Sequence, residues 1–254
     1  MIKISNLSVK FGNKFALKDI NLHIKKGEII NILGSNGSGK TTLLRCILDL
    51  EKFQGSIEID RQNTANLTPK MMANLLSFVP QSHNIPYDFS VFDIVLMSRF
   101  ASSFYKYSEF DRQKVLEALE KTGISHLKDE VFRKLSGGQK QLVLVARAIA
   151  SNAKIILLDE PINGLDLSNQ ILLLDLLKDL ANDDYTVLCT THYPEHALKI
   201  ADKIAWLDKG CLIKFDTPKS VITKEQISQI YGLNSEFIKD CNENEHLIIL
   251  GRSL

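Results

Sequence analysis

"EIINILGSNGSGKTTLLRCIL", residues 28–48, is an apolar run that empties into a glycine-rich loop and resumes as a second apolar stretch. Glu28 to Leu33 reads as a central strand buried on both faces, and Thr41 to Leu50 as the helix that follows it. Between them, Gly34 to Thr41 fits the pattern G-x-x-x-x-G-K-[ST], whose unpaired backbone N–H groups wrap a phosphate. In that reading Gly34, Ser35, Asn36, Gly37, Ser38 and Gly39 form the cradle. Lys40 supplies a point charge for the β and γ oxygens, Thr41 a hydroxyl for an accompanying Mg2+, and Thr42, at the helix start, is a further nucleotide-binding residue.

Outward from this unit the chain keeps alternating strand and helix. Buried-type strands are expected at Ser77 to Val79, Ile155 to Leu158, Thr186 to Thr190 and Lys203 to Leu207, with helical stretches such as Ile171 to Leu180 between them. That succession defines an α/β core. Before it, Ile2 to Ile24 alternates apolar and polar residues, as antiparallel strands with one wet face do. From about residue 82 to 134 strand signals stop and helical spacing takes over, most clearly at Val91 to Arg99 and Glu109 to Lys121, which reads as an inserted helical subdomain. After Pro218 a helix is expected at Lys224 to Tyr231, then a hairpin ending at Ile248 to Leu250.

Composition narrows the function class. With 254 residues, 44% hydrophobic and 24% charged, the chain can bury a sizeable core, and 31 basic against 30 acidic residues leave a net charge of +1. No basic footprint for nucleic acid or a membrane surface follows from that balance. Cys46, Cys189, Cys211 and Cys241 lack pair spacing, which fits reduced thiols in the cytoplasm better than disulfides or zinc. The opening MIKISNLSVKF alternates like a strand rather than a signal peptide, and no apolar run approaches the ~18 residues of a membrane span. Work at a membrane would require another chain to hold this one there.

Chemistry-bearing residues recur at expected strand ends. In "IILLDEP", residues 155–161, two carboxylates close an apolar strand, where an unpaired charge is costly to bury and so points into a site. Asp159 suits the metal that Thr41 would hold, and Glu160 suits a general base for water attacking a γ-phosphate. Gln81 directly follows its own strand and could meet both metal and water. "HYPEH", residues 192–196, matches the zinc-hydrolase pattern H-x-x-E-H, but Pro194 denies the two histidines a shared helix. The better reading ends a strand near His192, within reach of a γ-phosphate, and starts a new helix at Pro194.

The most specific word in the chain is "LSGGQ", Leu135 to Gln139, which arises by composition only about once in ten thousand chains of this length. It reads as a second helix N-terminus open to an anion. Its place after the phosphate loop and Gln81, and before Asp159-Glu160, Asp166 and His192, resembles the nucleotide-binding subunit of ATP-binding cassette (ABC) proteins from Ile2 to about Gly232, with residues 233–254 as a tail.

The resemblance implies a P-loop NTPase core with an antiparallel β subdomain and an inserted helical subdomain, binding ATP and Mg2+. It implies that two copies dock head to tail, so that Ser136, Gly137, Gly138 and Gln139 cap the nucleotide on the partner's phosphate loop. Phe11 would stack on adenine, where the family more often has tyrosine. Asp166, in "NGLD", matches the loop that crosses the dimer seam, although Ile162 and Asn163 depart from the usual small hydroxyl residues. "LDLSNQ" (Leu165 to Gln170) and "DIVLMSR" (Asp93 to Arg99) resemble importers of ferric siderophores, haem or cobalamin. Such a subunit sits on the cytoplasmic face of the membrane, partnered by a permease and indirectly by a substrate-binding protein. A zinc or manganese importer ATPase and a permease-free ATPase of iron-sulfur cluster assembly are the alternatives. The aromatic residues Phe100, Phe104, Tyr105, Tyr107 and Phe110 would either receive a permease helix or pack the subdomain.

Overall fold

The computed structural model describes residues 1–81, 85–101, 106–239 and 245–252. Strands β1 (Ile2–Phe11) and β2 (Lys14–Ile24) form an antiparallel hairpin with Ile2 opposite Ile24, and their alternation buries Ile2, Ile4, Leu7 and Val9 on one face. β3 (Ile29–Leu33) is buried at every position and leads through the glycine loop into α1 (Lys40–Ile47). That helix ends at Ile47 rather than Leu50, because Asp49 turns left-handed (φ 57°) and Leu50 lies on the surface with nothing to pack on.

Next come β4 (Gln54–Ile59) and β5 (Gln62–Asn63), which extend the antiparallel sheet in the order β2-β1-β4-β5. α2 (Pro69–Leu75) follows, its N-terminus capped by Thr68 with Pro69 in the first turn. β6 (Leu76–Val79) leads to Gln81, and the helical region continues with α3 (Val91–Leu96), α4 (Glu109–Lys121) and α5 (Gly137–Ala150). The helix expected over Val91 to Arg99 tightens at Met97 into a 3-10 stretch reaching Ala101, where the Ser98 hydroxyl donates to the Val95 carbonyl (2.8 Å).

The chain then runs through β7 (Ile155–Leu158), α6 (Leu167–Asn182), β8 (Thr186–Thr191), α7 (Pro194–Ile200), β9 (Lys203–Asp208) and β10 (Cys211–Asp216). It closes with α8 (Pro218–Val221), α9 (Lys224–Tyr231), β11 (Leu233–Lys239) and β12 (Glu245–Arg252). The main sheet has the order β10-β9-β3-β8-β7-β6, parallel except for β10. Period-2 alternation sorts its side chains to two cores. Ile155, Leu157, Leu188, Ile30 and Ile32 face α1 and the antiparallel sheet, whereas Ile156, Leu158, Val187 and Cys189 face α5 and α6.

One buried cation ties the helical region together. Arg99 donates from Nε to Asp111 Oδ1 (2.9 Å) and from Nη1 to the Ala150 carbonyl (3.0 Å) and Asn152 Oδ1 (2.6 Å). Asp111 also accepts from the Ser108 N–H and hydroxyl, completing the capping box of α4. Of the aromatic residues in this region, Phe100 and Phe110 are exposed and Tyr107 packs against the core; Phe104 and Tyr105 lie outside the described residues, as do Ser82 and Cys241.

Two glycines fasten the sheets to each other. A Cβ on Gly39 would stand 2.8 Å from the Ala16 carbonyl of β2, and one on Gly210 would stand 2.7 Å from the same oxygen. The Lys18 N–H also donates to the Gly210 carbonyl (2.8 Å). At the other end, α9 and the β11–β12 hairpin pack Ile227 and Leu247 around Trp206 with Leu33 and Ile204.

Candidate active site

The parallel strands deliver their polar residues to one edge, where helix N-termini and strand C-termini meet. The β3 end supplies the phosphate loop, β6 supplies Gln81, β7 supplies Asp159 and Glu160, and β8 supplies His192. A cavity of about 430 Å³ opens there, lined by residues that include Gly37, Lys40, Thr41, Gln81, Glu160 and His192. Asn36, Gly39, Thr42, Ala16 and Asn163 complete its wall.

The loop's shape demands its glycines. Gly37 (φ 80°) and Gly39 (φ 106°) occupy the left-handed region, and a Cβ on Gly34 would fall 2.4 Å from both the Leu207 carbonyl and Ser38 Oγ. Lys40 is buried and donates from Nζ to the carbonyls of Gly34 (2.8 Å) and Ser35 (3.2 Å), with Glu160 Oε1 at 3.3 Å. A positive group in that cradle fits a phosphate. The buried Ser38 hydroxyl adds a polar group that has no hydrogen-bond partner among the described residues.

Thr41 and Asp159 are joined directly. The Thr41 hydroxyl lies 2.9 and 3.2 Å from the two carboxylate oxygens, and the Thr190 hydroxyl donates to Asp159 Oδ1 (2.7 Å) while accepting from the Glu160 N–H (2.7 Å). Thr190 thus locks two neighbouring strand ends and the acidic pair in one network. A hydroxyl, a carboxylate and the Gln81 amide oxygen form an all-oxygen set of the kind a hard divalent cation takes, so these residues fit Mg2+.

Glu160 is held at both oxygens. Oε2 accepts from Gln81 Nε2 (3.2 Å) and from Asn163 Nδ2, and His192 Nδ1 lies 3.3 Å away without hydrogen-bond alignment. Glu160 itself has φ 45°, a strained value for a residue with a side chain. His192 stands before α7 and His196 within it, so Pro194 in the first turn separates the two histidines as its chemistry requires. Burial pushes the His196 imidazole below its ordinary range. The Tyr231 hydroxyl, from α9, donates to the His192 carbonyl (3.4 Å), while burial first, and then Glu195, push its own pKa up.

The second anion cradle stands apart. Ser136, Gly137, Gly138, Gln139, Asp166 and Phe11 are absent from the cavity wall. Ser136 caps α5, its hydroxyl accepting from the Gln139 N–H (3.2 Å) while Gln139 Oε1 accepts from the Ser136 N–H (3.0 Å). That reciprocal cap occupies both side chains and leaves the Gly137 and Gly138 N–H groups for an anion. Gly138 abuts Asn169, which donates to both Asp166 oxygens (2.9 and 3.0 Å). Asp166 caps α6, and the Asn169 N–H and then the Ser168 hydroxyl hold its carboxyl below the usual range. Phe11 projects, exposed, at the β1–β2 turn.

Sequence reading missed Thr190, Asn163 and Asn169 as members of these networks. Thr190 stands two residues before His192 at a strand end, which was a usable signal; the two asparagines reveal themselves only through the turns that aim them.

A family model described as ABC transporter matches residues 17–163. The molybdate import ATP-binding protein of Haemophilus influenzae is 38% identical over 237 residues, covering 91% of this chain and 88% of the relative. The ferric enterobactin transport ATP-binding protein of Escherichia coli is 32% identical, covering 97% and 93%. Among solved structures, one described as a metal-chelate type ABC transporter, inward-facing, superimposes with a TM-score of 0.87 at 36% identity over 98% of this chain and 96% of the other. A dimeric ATP-binding cassette holding ADP and phosphate superimposes at 0.77 with 32% identity over 86% and 99%. With the family model matching more than half of the chain and relatives at 32–38% identity covering nearly all of it, the chain belongs to the ABC transporter family, as one of its ATP-binding, ATP-hydrolysing subunits.

Proposed function

We propose that this subunit energises import of a metal chelate, of the ferric siderophore, haem or cobalamin type, through a separate permease. It works as a head-to-tail homodimer on the cytoplasmic face of the membrane, and a substrate-binding protein delivers the cargo. No helix among the described residues is long and apolar enough to cross a membrane, so the permease supplies the path. The observation that carries the ATPase part is the convergence of Lys40, the Thr41–Asp159 pair, Glu160 and His192 on one cavity.

In this reading Lys40 neutralises the β and γ oxygens, and the loop N–H groups orient them. Thr41, Asp159 and Gln81 would hold Mg2+, which when bound would supply countercharge to the phosphates. Glu160 takes the proton of the attacking water as the new oxygen–phosphorus bond forms and the bond to the β-phosphate oxygen breaks. His192 stabilises charge on the γ-phosphoryl group as it transfers. Phe11 stacks on the adenine ring. Ser136, Gly137, Gly138, Gln139 and Asp166 close the partner's site, so ATP draws the dimer shut and hydrolysis releases it.

His192→Ala is expected to lower kcat about 100-fold or more, the usual cost of one lost stabilising donor, with ATP binding retained. Phosphate release and nucleotide titration measure the two quantities separately; a wild-type rate removes His192 from this role. Ser136→Arg is expected to abolish ATP-driven dimerisation while the isolated chain still binds ATP, read by light scattering and a fluorescent nucleotide. Lost binding in the monomer would contradict a site shared between subunits.

For the cargo, support comes from the metal-chelate type transporter and the ferric enterobactin relative. The molybdate relative keeps an oxyanion as the second reading. Cells carrying Lys40→Ala should lose uptake of radio-iron as a chelate and retain uptake of molybdate; the reverse pattern would assign the cargo to the oxyanion class.

A further inference from the structure

We propose that Asn163 is a positioning residue for Glu160: with Gln81 it anchors Oε2, leaving Oε1 as the oxygen that takes the proton. The proposal rests on the reading of Glu160 as the general base. Two amides from different parts of the fold donate to the same oxygen, Gln81 Nε2 from the β6 end (3.2 Å) and Asn163 Nδ2 from the loop after β7. Oε1 instead faces Lys40 Nζ (3.3 Å), across the wall of the phosphate cavity.

The local chain explains why Asn163 reaches. Its N–H donates to the Glu160 carbonyl (3.2 Å), closing a tight turn that Glu160 (φ 45°) and Gly164 (φ 74°) bracket with left-handed conformations. Ile162, between them, is buried in the core with Leu158 and Leu173, and this pins the turn so that the next side chain swings back over Glu160. Both departures from the small hydroxyl residues usual here therefore serve one arrangement. A serine at 163 would carry its hydroxyl one bond from Cβ, too short to replace an amide nitrogen two bonds away.

Glutamate has three rotatable side-chain bonds, and a base that wanders by an ångström loses much of its rate. A hydrogen bond to a charged group is worth about 1.5–3 kcal/mol, so Asn163→Ala is expected to lower kcat roughly 10- to 100-fold. KM for ATP, and the Kd of a fluorescent ATP analogue measured in EDTA, should stay at wild-type values. Asn163→Ser should behave like Asn163→Ala, and Asn163→Gln should recover part of the rate. The deciding comparison adds Asn163→Ala to Glu160→Gln. A residue acting only through Glu160 leaves the residual hydrolysis of that background unchanged, whereas a further loss equal to that seen in the wild type overturns the proposal. So does wild-type kcat in both Asn163→Ala and Asn163→Ser, or a fall in nucleotide affinity matching the fall in rate. If Glu160→Gln alone turned over normally, the base assignment itself would be the part that failed.

Discussion

Glu160→Gln is expected to bind ATP at least as tightly as the wild type, to hydrolyse it about 100- to 10,000-fold more slowly, and to accumulate as a nucleotide-bound dimer. The substitution keeps size and shape, so the turn from Glu160 to Asn163 and the packing of Ile162 survive. What it removes is the charge and basic lone pair that, in the proposed role, accept the proton of water. It also removes the carboxylate that stands 3.3 Å from Lys40, so the ammonium loses its competing partner and meets phosphate unopposed. Size-exclusion chromatography with ATP, paired with phosphate release, reads both halves. Turnover at the wild-type rate would take the general-base role from Glu160.

Arg99→Ala is expected to destabilise the chain by about 3–5 kcal/mol, the usual cost of removing one partner from a buried ion pair. The guanidinium is almost wholly buried and Asp111 is nearly so. Removal leaves the Asp111 carboxylate without its Nε donor, deprives the Ala150 carbonyl and the Asn152 side chain of theirs, and opens a cavity where the region of α3, α4 and α5 converges. Urea unfolding should show the loss, and a double-mutant cycle with Asp111→Asn should recover a coupling of more than about 1 kcal/mol. A midpoint within experimental scatter of the wild type would mean that the network is solvated and energetically idle. ATP hydrolysis measured well below the unfolding midpoint should change far less than stability does, because no part of this network lines the phosphate cavity.

The parts of the molecule legible in the sequence are those set by local pattern. A strand buried on both faces, a glycine loop and a helix occupy neighbouring residues, so the phosphate loop is legible from local pattern, and the strand-end carboxylates Asp159 and Glu160 lie beside its Thr41 and Lys40. β4, β5, α2 and β10 went unread because each is half wet; β10, for example, buries none of its residues fully, which blunts the hydrophobic period. The ends of α1 and α3 were overextended, since a left-handed Asp49 and a back-bonding Ser98 hydroxyl are invisible to periodicity. Within the site, Lys40, Gln81 and His192 were legible by order along the chain. Asn163 looked like a mere departure from pattern, because its meaning lies in a turn whose anchor, Ile162, is fixed by tertiary packing.

The carbonyl of Ala16, wedged between the bare α-carbons of Gly39 and Gly210, makes the hairpin and the phosphate loop a single rigid caliper. Any side chain at either glycine would press on that carbonyl, so the spacing between hairpin and phosphate loop is set by main chain rather than by side-chain rotamers. Alanine at position 39 or 210 is therefore expected to displace the loop against the hairpin, a shift that no repacking of side chains absorbs.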